Sequence, residues 1–177
     1  MESTTEDLLK YPIGQLARKD SCSPDEIESM IATIEKAPDR YNALVKDLTD
    51  DDLKKTYRPG SWNIRQLVHH VADIQMLHFL RMKKALTETD YHDVTLIDMD
   101  KWALTPDAHD AAIESSLLMF ESITRRYVYL LRSLTADQLK ISYYHAIRKY
   151  SITQEQAIGM SAWHVRHHLE HIKLALK

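Results

Sequence analysis

The sequence predicts an all-α chain, a four-helix bundle formed as a single domain over residues 1–177, with residues 1–22 as an extended N-terminal arm. Three observations carry this. Glycine occurs only three times, too few for a turn-rich β fold or a glycine-rich phosphate loop. Apolar residues recur at helical spacing in four long stretches. Three of those stretches open on a Ser/Thr/Asn-x-x-Glu/Gln box, in which the first side chain and the fourth each satisfy a free backbone N–H of the new helix.

The first helix starts at Ser23-Pro24-Asp25-Glu26, with serine as cap and proline in the first turn, where its missing N–H is no loss. Its apolar series is Ile27, Met30, Ile31, Ile34, Tyr41, Leu44, Val45 and Leu48, and Pro38 is placed to kink or interrupt it. Pro59-Gly60-Ser61 then breaks the chain. Asn63 caps the second helix, which runs to about Leu86 with Ile64, Leu67, Val68, Val71, Gln75, Phe79 and Met82 on one stripe. Residues 87–104 show no period and read as a long connection. Thr105-Pro106 opens a third helix to about Leu134, carrying Ile113, Leu117, Phe120, Ile123, Tyr127, Leu130 and Leu131. Residues 141–152 suggest a short β excursion, and Thr153 caps a last helix that runs nearly to Lys177.

The chain also echoes itself. Arg40-Tyr41-x-x-Leu44-x-x-x-Leu48-Thr49-x-Asp51-x-Leu53-Lys54 keeps register over fifteen positions with Arg126-Tyr127-x-x-Leu130-x-x-x-Leu134-Thr135-x-Asp137-x-Leu139-Lys140. Two helix pairs related by pseudo-symmetry would explain it.

Bulk properties narrow the function. The chain is 44% hydrophobic and 28% charged, as ordinary globular proteins are. A net charge of −3 gives nucleic acid no basic surface to meet. A single cysteine, Cys22, favours a reducing compartment. Residues 1–20 lack a signal-peptide pattern, and no apolar run reaches the roughly 20 residues of a membrane span. The expectation is a cytoplasmic protein acting on a small molecule.

Ten histidines in so short a chain call for an explanation. The last helix reads Trp163-His164-Val165-Arg166-His167-His168-Leu169-Glu170-His171. At about 100° per residue, His164, His167, His168 and His171 fall within an arc of roughly 100°. Met160, Ala157 and Ala175 share that arc, so it is the face the helix should bury. Histidines at i and i+4 stand one turn apart and can share a cation, and two such pairs exist, His164/His168 and His167/His171. The second helix offers a third ligand. Of the adjacent His69 and His70, periodicity places His70 at the edge of the apolar arc and His69 toward solvent. Three imidazoles with an open fourth position form a catalytic pattern for zinc, or for nickel, iron or copper. His78, His92 and His109 read as ordinary surface or core histidines, and His145, beside Tyr143 and Tyr144, as a further candidate.

Tyr57-Arg58-Pro59-Gly60-Ser61-Trp62-Asn63-Ile64-Arg65-Gln66-Leu67-Val68-His69-His70-Val71-Ala72-Asp73, together with the closing HxxxH segment, resembles the DinB/YfiT-like superfamily, and Tyr11-Pro12-Ile13-Gly14 resembles its YfiT branch. The resemblance spans nearly the whole chain. It implies an up-down four-helix bundle, often a homodimer, with a divalent metal on His70, His167 and His171. It also implies metal-dependent hydrolysis or thiol transfer with bacillithiol or mycothiol, as in a maleylpyruvate isomerase. YfiT-like chains often carry a third consecutive histidine where this chain has Arg166, a position on the polar side of the helix.

These readings lead to a metal-dependent thiol S-transferase, with zinc or nickel and bacillithiol. A metal-dependent hydrolase comes next, and a non-catalytic, stress-related binding or dimerisation module third. Arg65, Arg81 and Arg148 are candidates to meet an acidic cosubstrate, and the sequence does not select among them.

Overall fold

The computed structural model describes residues 5–177 and is a helical bundle. Its elements are α1 (Thr5–Lys10), α2 (Pro24–Glu35), α3 (Ala37–Val45), α4 (Asp50–Leu53), α5 (Ile64–Thr87), α6 (Met99–Trp102), α7 (Pro106–His109), α8 (Glu114–Arg132), α9 (Ala136–Lys140), β1 (Ser142–His145), β2 (Tyr150–Thr153) and α10 (Gln154–Ala175). The four bundle members are α2/α3, α5, α8 and α10. No helix among the described residues is long and apolar enough to cross a membrane.

The caps act as their residue types dictate. Ser23, Asn63 and Thr153 each complete a reciprocal capping box, with Glu26, Gln66 and Gln156 respectively. The first helix divides at Lys36, one residue before Ala37-Pro38, so that Pro38 lies in the first turn of α3. The arm is not extended throughout, because residues 5–10 form α1; residues 1–4 lie outside the described residues.

The expected third helix is in fact two, with α7 ending at His109 and α8 starting at Glu114. The carbonyls freed by the break find donors on α5. Arg65 Nη1 donates to the carbonyls of Asp110 (3.1 Å) and Ala111 (2.7 Å), and His69 Nε2 lies 3.2 Å from the Ala111 carbonyl. The long connection is likewise less featureless than its sequence, for it holds α6, capped by the Asp98 side chain. The β excursion is a two-stranded antiparallel hairpin pairing Ser142 with Thr153 and His145 with Tyr150, and Lys149 takes a positive φ in its turn. Asp93 bridges to Tyr144, which ties the long connection to this hairpin.

The internal echo has a structural counterpart. Thr49 and Thr135 each cap a short helix with a complete box, α4 and α9. Tyr41 and Tyr127, at matching positions, are both enclosed, but in different parts of the core. Tyr41 packs edge-on against Phe120 and donates to the Val165 carbonyl of α10 at 2.8 Å.

α5 packs against α8 on one side and α10 on the other, and α2 likewise packs against both α8 and α10. Helices α5 and α10 are therefore neighbours although more than sixty residues separate them. With α7 also laid against it, α5 is covered on most of its circumference.

Candidate metal centre

The side-by-side placement of α5 and α10 aims their histidines at each other. His70 and His168 are buried and His164 nearly so. One ring nitrogen from each lies within 4.8 Å of the others. His70 Nε2 is 3.0 Å from His164 Nε2. Trp62, the residue before the Asn63 cap, lies over His70 with ring centroids 4.6 Å apart. A second group, His167, His168 and His171, also meets within 4.8 Å, and His168 belongs to both.

Burial decides the protonation of these rings, because removing an imidazolium from water disfavours the charged form. It lowers His70 to about 3, with the charge of His167 adding a smaller push. His164 and His168 are driven well below the ordinary histidine range, first by burial and then by neighbouring imidazoles. All three are therefore neutral near pH 7, the form that offers a lone pair to a metal.

The trio implied by the resemblance, His70, His167 and His171, is not one of the groups that close among the described residues. The structure places the partners of His70 on the other i, i+4 pair, His164 and His168. His167 and His171 instead meet His168 in the second group, and His167 Nδ1 is buried without a hydrogen-bond partner. His167 stacks on Trp163 at 4.1 Å, and His171 stacks on Tyr57 at 3.8 Å with its Nε2 3.3 Å from the Lys10 carbonyl of the arm. The helical wheel allowed both pairs, and the azimuth of α10 against α5 brings His164 and His168 nearest to His70.

His69 is buried rather than solvent-facing. Its Nδ1 sits 2.7 Å from Ser116 Oγ and its Nε2 on the Ala111 carbonyl, so both nitrogens are occupied away from the cluster. Periodicity missed this because the α7–α8 break covers that side of α5. His92 and His109 are exposed, as read from the sequence. Arg166 is also exposed, and Glu170 pairs with Lys173 at 2.7 Å, away from the histidines.

His78, read from the sequence as an ordinary histidine, lies beside the cluster. It is buried, its ring centroid lies 5.9 Å from that of His164, and its Nδ1 has no hydrogen-bond partner. The one signal available was its spacing of eight residues from His70, two turns along the same face of α5. With His145 and His164 it lines a cavity of about 350 Å³ that extends from the histidine group toward the hairpin and the long connection. A larger cavity of about 470 Å³, between the arm, α2 and the start of α10, contains Cys22 and no histidine.

A buried cluster of neutral imidazoles beside a small cavity, set in a helical bundle, is a group that could hold a metal ion between facing helices. The chain belongs to the DinB superfamily, whose profile matches residues 33–172. A relative in Oceanobacillus iheyensis is 40% identical over 168 residues, covering 95% of each chain, and its name assigns it provisionally to the metal-dependent hydrolases. YfiT of Bacillus subtilis, named in the same way, is 36% identical over 164 residues, covering 93% of this chain and 92% of its own. The solved structure of YfiT superposes with a TM-score of 0.90 over 94% of each chain and is described as having an unusual four-helix bundle topology.

Proposed function

We propose that this chain is a metal-dependent enzyme that holds a divalent ion, zinc first and nickel next, on His70, His164 and His168, and that it transfers a low-molecular-weight thiol such as bacillithiol to an electrophilic small molecule. This ligand set differs at two of three positions from the one the resemblance implies. The observation that carries the reading is the double membership of His164. It belongs to the group of three converging nitrogens and to the wall of the cavity, so the site has somewhere to receive a substrate.

The residues fit such an ion. Three neutral imidazole nitrogens converge from two facing helices, and no protein carboxylate completes the set, which is the three-ligand pattern of a site with an open position. When bound, the ion would supply a Lewis acid that lowers the pKa of a thiol or a water in that position. The chain's own contribution is orientation and exclusion of water. Trp62 packs over His70, and burial keeps protons off the ligating nitrogens. No carboxylate lines the cavity, and a thiol already deprotonated needs no carboxylate base.

Hydrolysis is the second reading, favoured by the names of the relatives. The group placed to hydrogen-bond the attacking water would be His78, whose Nδ1 is unpartnered within the cavity wall.

The discriminating experiment offers the zinc-loaded and chelated protein two substrates. With bacillithiol and 1-chloro-2,4-dinitrobenzene, a C–S bond forms, chloride leaves and the thiol proton goes to solvent. With 4-nitrophenyl acetate, water alone is the acceptor. Zinc-dependent conjugation that exceeds the uncatalysed rate supports transfer. Zinc-dependent ester cleavage without conjugation replaces it with hydrolysis, and neither activity leaves the non-catalytic binding module.

A further inference from the structure

The cavity beside His164 has a composition that neither the ion nor the thiol chemistry requires. Its charged wall is cationic: Arg81 and Arg148 face it beside the neutral imidazoles of His78, His145 and His164, and no aspartate or glutamate does. Arg81 is the unusual member. It projects from α5 and is only 8% exposed, yet among the described residues it forms no ion pair. Its Nε and Nη2 both donate to the Thr95 carbonyl, at 3.0 and 2.6 Å, which ties the guanidinium to the long connection. Nη1 makes no hydrogen bond among the described residues. A buried charge left without a counter-ion is costly, and such charges persist where a ligand supplies the missing partner.

Arg148 stands on the exposed turn of the hairpin and adds a second guanidinium at the mouth, also without an ion pair among the described residues. The buried His78 Nδ1, unpartnered on the same wall, is a third group with an unmet hydrogen bond. The remaining wall is apolar, with Ile74, Leu96 and Ile147 among its side chains. A volume of about 350 Å³ admits a molecule of roughly ten to fifteen heavy atoms. Arg65, the rival in sequence, is excluded: it spends its donors on Asp50 and on the carbonyls of Asp110 and Ala111.

We infer that this cavity is a carboxylate-binding subsite, in which Arg81 holds the carboxylate of a small organic acid, Arg148 closes over it from the hairpin, and the acid's apolar body lies between α5 and the long connection. The inference deepens the proposed function, since it names a feature of the molecule presented at His164. A planar guanidinium with one free edge matches the two oxygens of a carboxylate.

The test is isothermal titration of the full chain, both chelated and zinc-loaded, with 3-phenylpropionate and with its neutral amide. The expected result is that the acid binds at least tenfold more tightly than the amide in both forms, because the guanidinium and not the ion recognises it. Arg81→Met should remove that preference, Arg148→Met should weaken acid binding severalfold, and Arg65→Met should leave it unchanged. Since Arg148 is exposed, its variant remains informative should Arg81→Met fail to fold. Equal binding of acid and amide, absence of binding by both, or undiminished preference in a folded Arg81→Met protein would overturn the subsite. Tighter binding of phenyl phosphate than of the acid would overturn the carboxylate assignment. Metal content of the same samples is read separately, so failure of the ion site and failure of the subsite are distinguishable. If the acid inhibits conjugation competitively against bacillithiol, the carboxylate is the thiol's; if against the chloroarene, it is the acceptor's.

Discussion

His70 Nε2 and His164 Nε2 lie 3.0 Å apart across 94 positions of sequence, a direct contact between the histidines of α5 and those of α10. The four histidines of α10 occupy one arc, yet only His164 and His168 converge with His70. His167 and His171 are held by aromatic stacking on Trp163 and Tyr57.

Metal content separates the two pairs. The wild type should carry about one equivalent of divalent ion after reconstitution with zinc. His164→Ala/His168→Ala should lose it while keeping its helical circular dichroism. His167→Ala/His171→Ala should keep the ion and melt at lower temperature, because it removes two stacked rings. The reverse pattern by elemental analysis would return the ligands to His167 and His171.

Acid should unfold the metal-free protein earlier than its carboxylates require. In the unfolded chain the imidazoles take up protons near pH 6.5, whereas in the fold His70, His78 and His167 hold out to about 3 and His171 to about 4. Each folded value is depressed, so the unfolded state binds more protons below pH 6.5 and stability falls as pH falls. Each fully buried ring contributes a slope of about 1.4 kcal/mol per pH unit across that window. Thermal melts in chelator should therefore decline steeply from pH 6.5 to 5, and a flat profile there would contradict the burial of these rings.

Asp73 should act in the opposite sense. Burial, with Asp107 nearby, raises its carboxyl to about 6. A raised carboxyl stabilises the fold below the ordinary aspartate value, and that contribution is lost as pH rises through 6. Asp73→Asn mimics the protonated form. The variant should be more stable than wild type at pH 7.5 and indistinguishable from it at pH 4, as judged by urea midpoints at the two values.

Tyr41→Phe tests the tie between α3 and α10. The hydroxyl donates to the Val165 carbonyl at 2.8 Å in a fully buried setting. Its loss should cost about 1 kcal/mol, or roughly 2–4 °C in Tm for a domain of this size. No shift in Tm would mean that this hydrogen bond contributes nothing net.

Much of the architecture was local and therefore legible. Ser23, Asn63 and Thr153 start helices because their side chains meet backbone N–H groups three residues on, and Pro38 interrupts one because it has no N–H to give. The echo around Tyr41 and Tyr127 was visible as a repeat, and the two capped short helices that follow its tyrosines are its structural counterpart. Period and caps depend only on near neighbours in the chain, as does the convergence of four histidines on one face of α10.

Contacts between distant segments decided the rest. The break between α7 and α8 is supported by Arg65 and His69, more than forty residues away, so no local pattern marked it. Which of His164/His168 and His167/His171 lies nearer to His70 rests on the rotation of α10 against α5, and both rotations satisfy the same apolar arc. Arg81 acquired its meaning from the Thr95 carbonyl and the hairpin turn bearing Arg148, which the fold brings to the same cavity. Helical periodicity tells which face of a helix is buried; which neighbour covers that face, and which atoms then meet, is set by packing among helices remote in sequence.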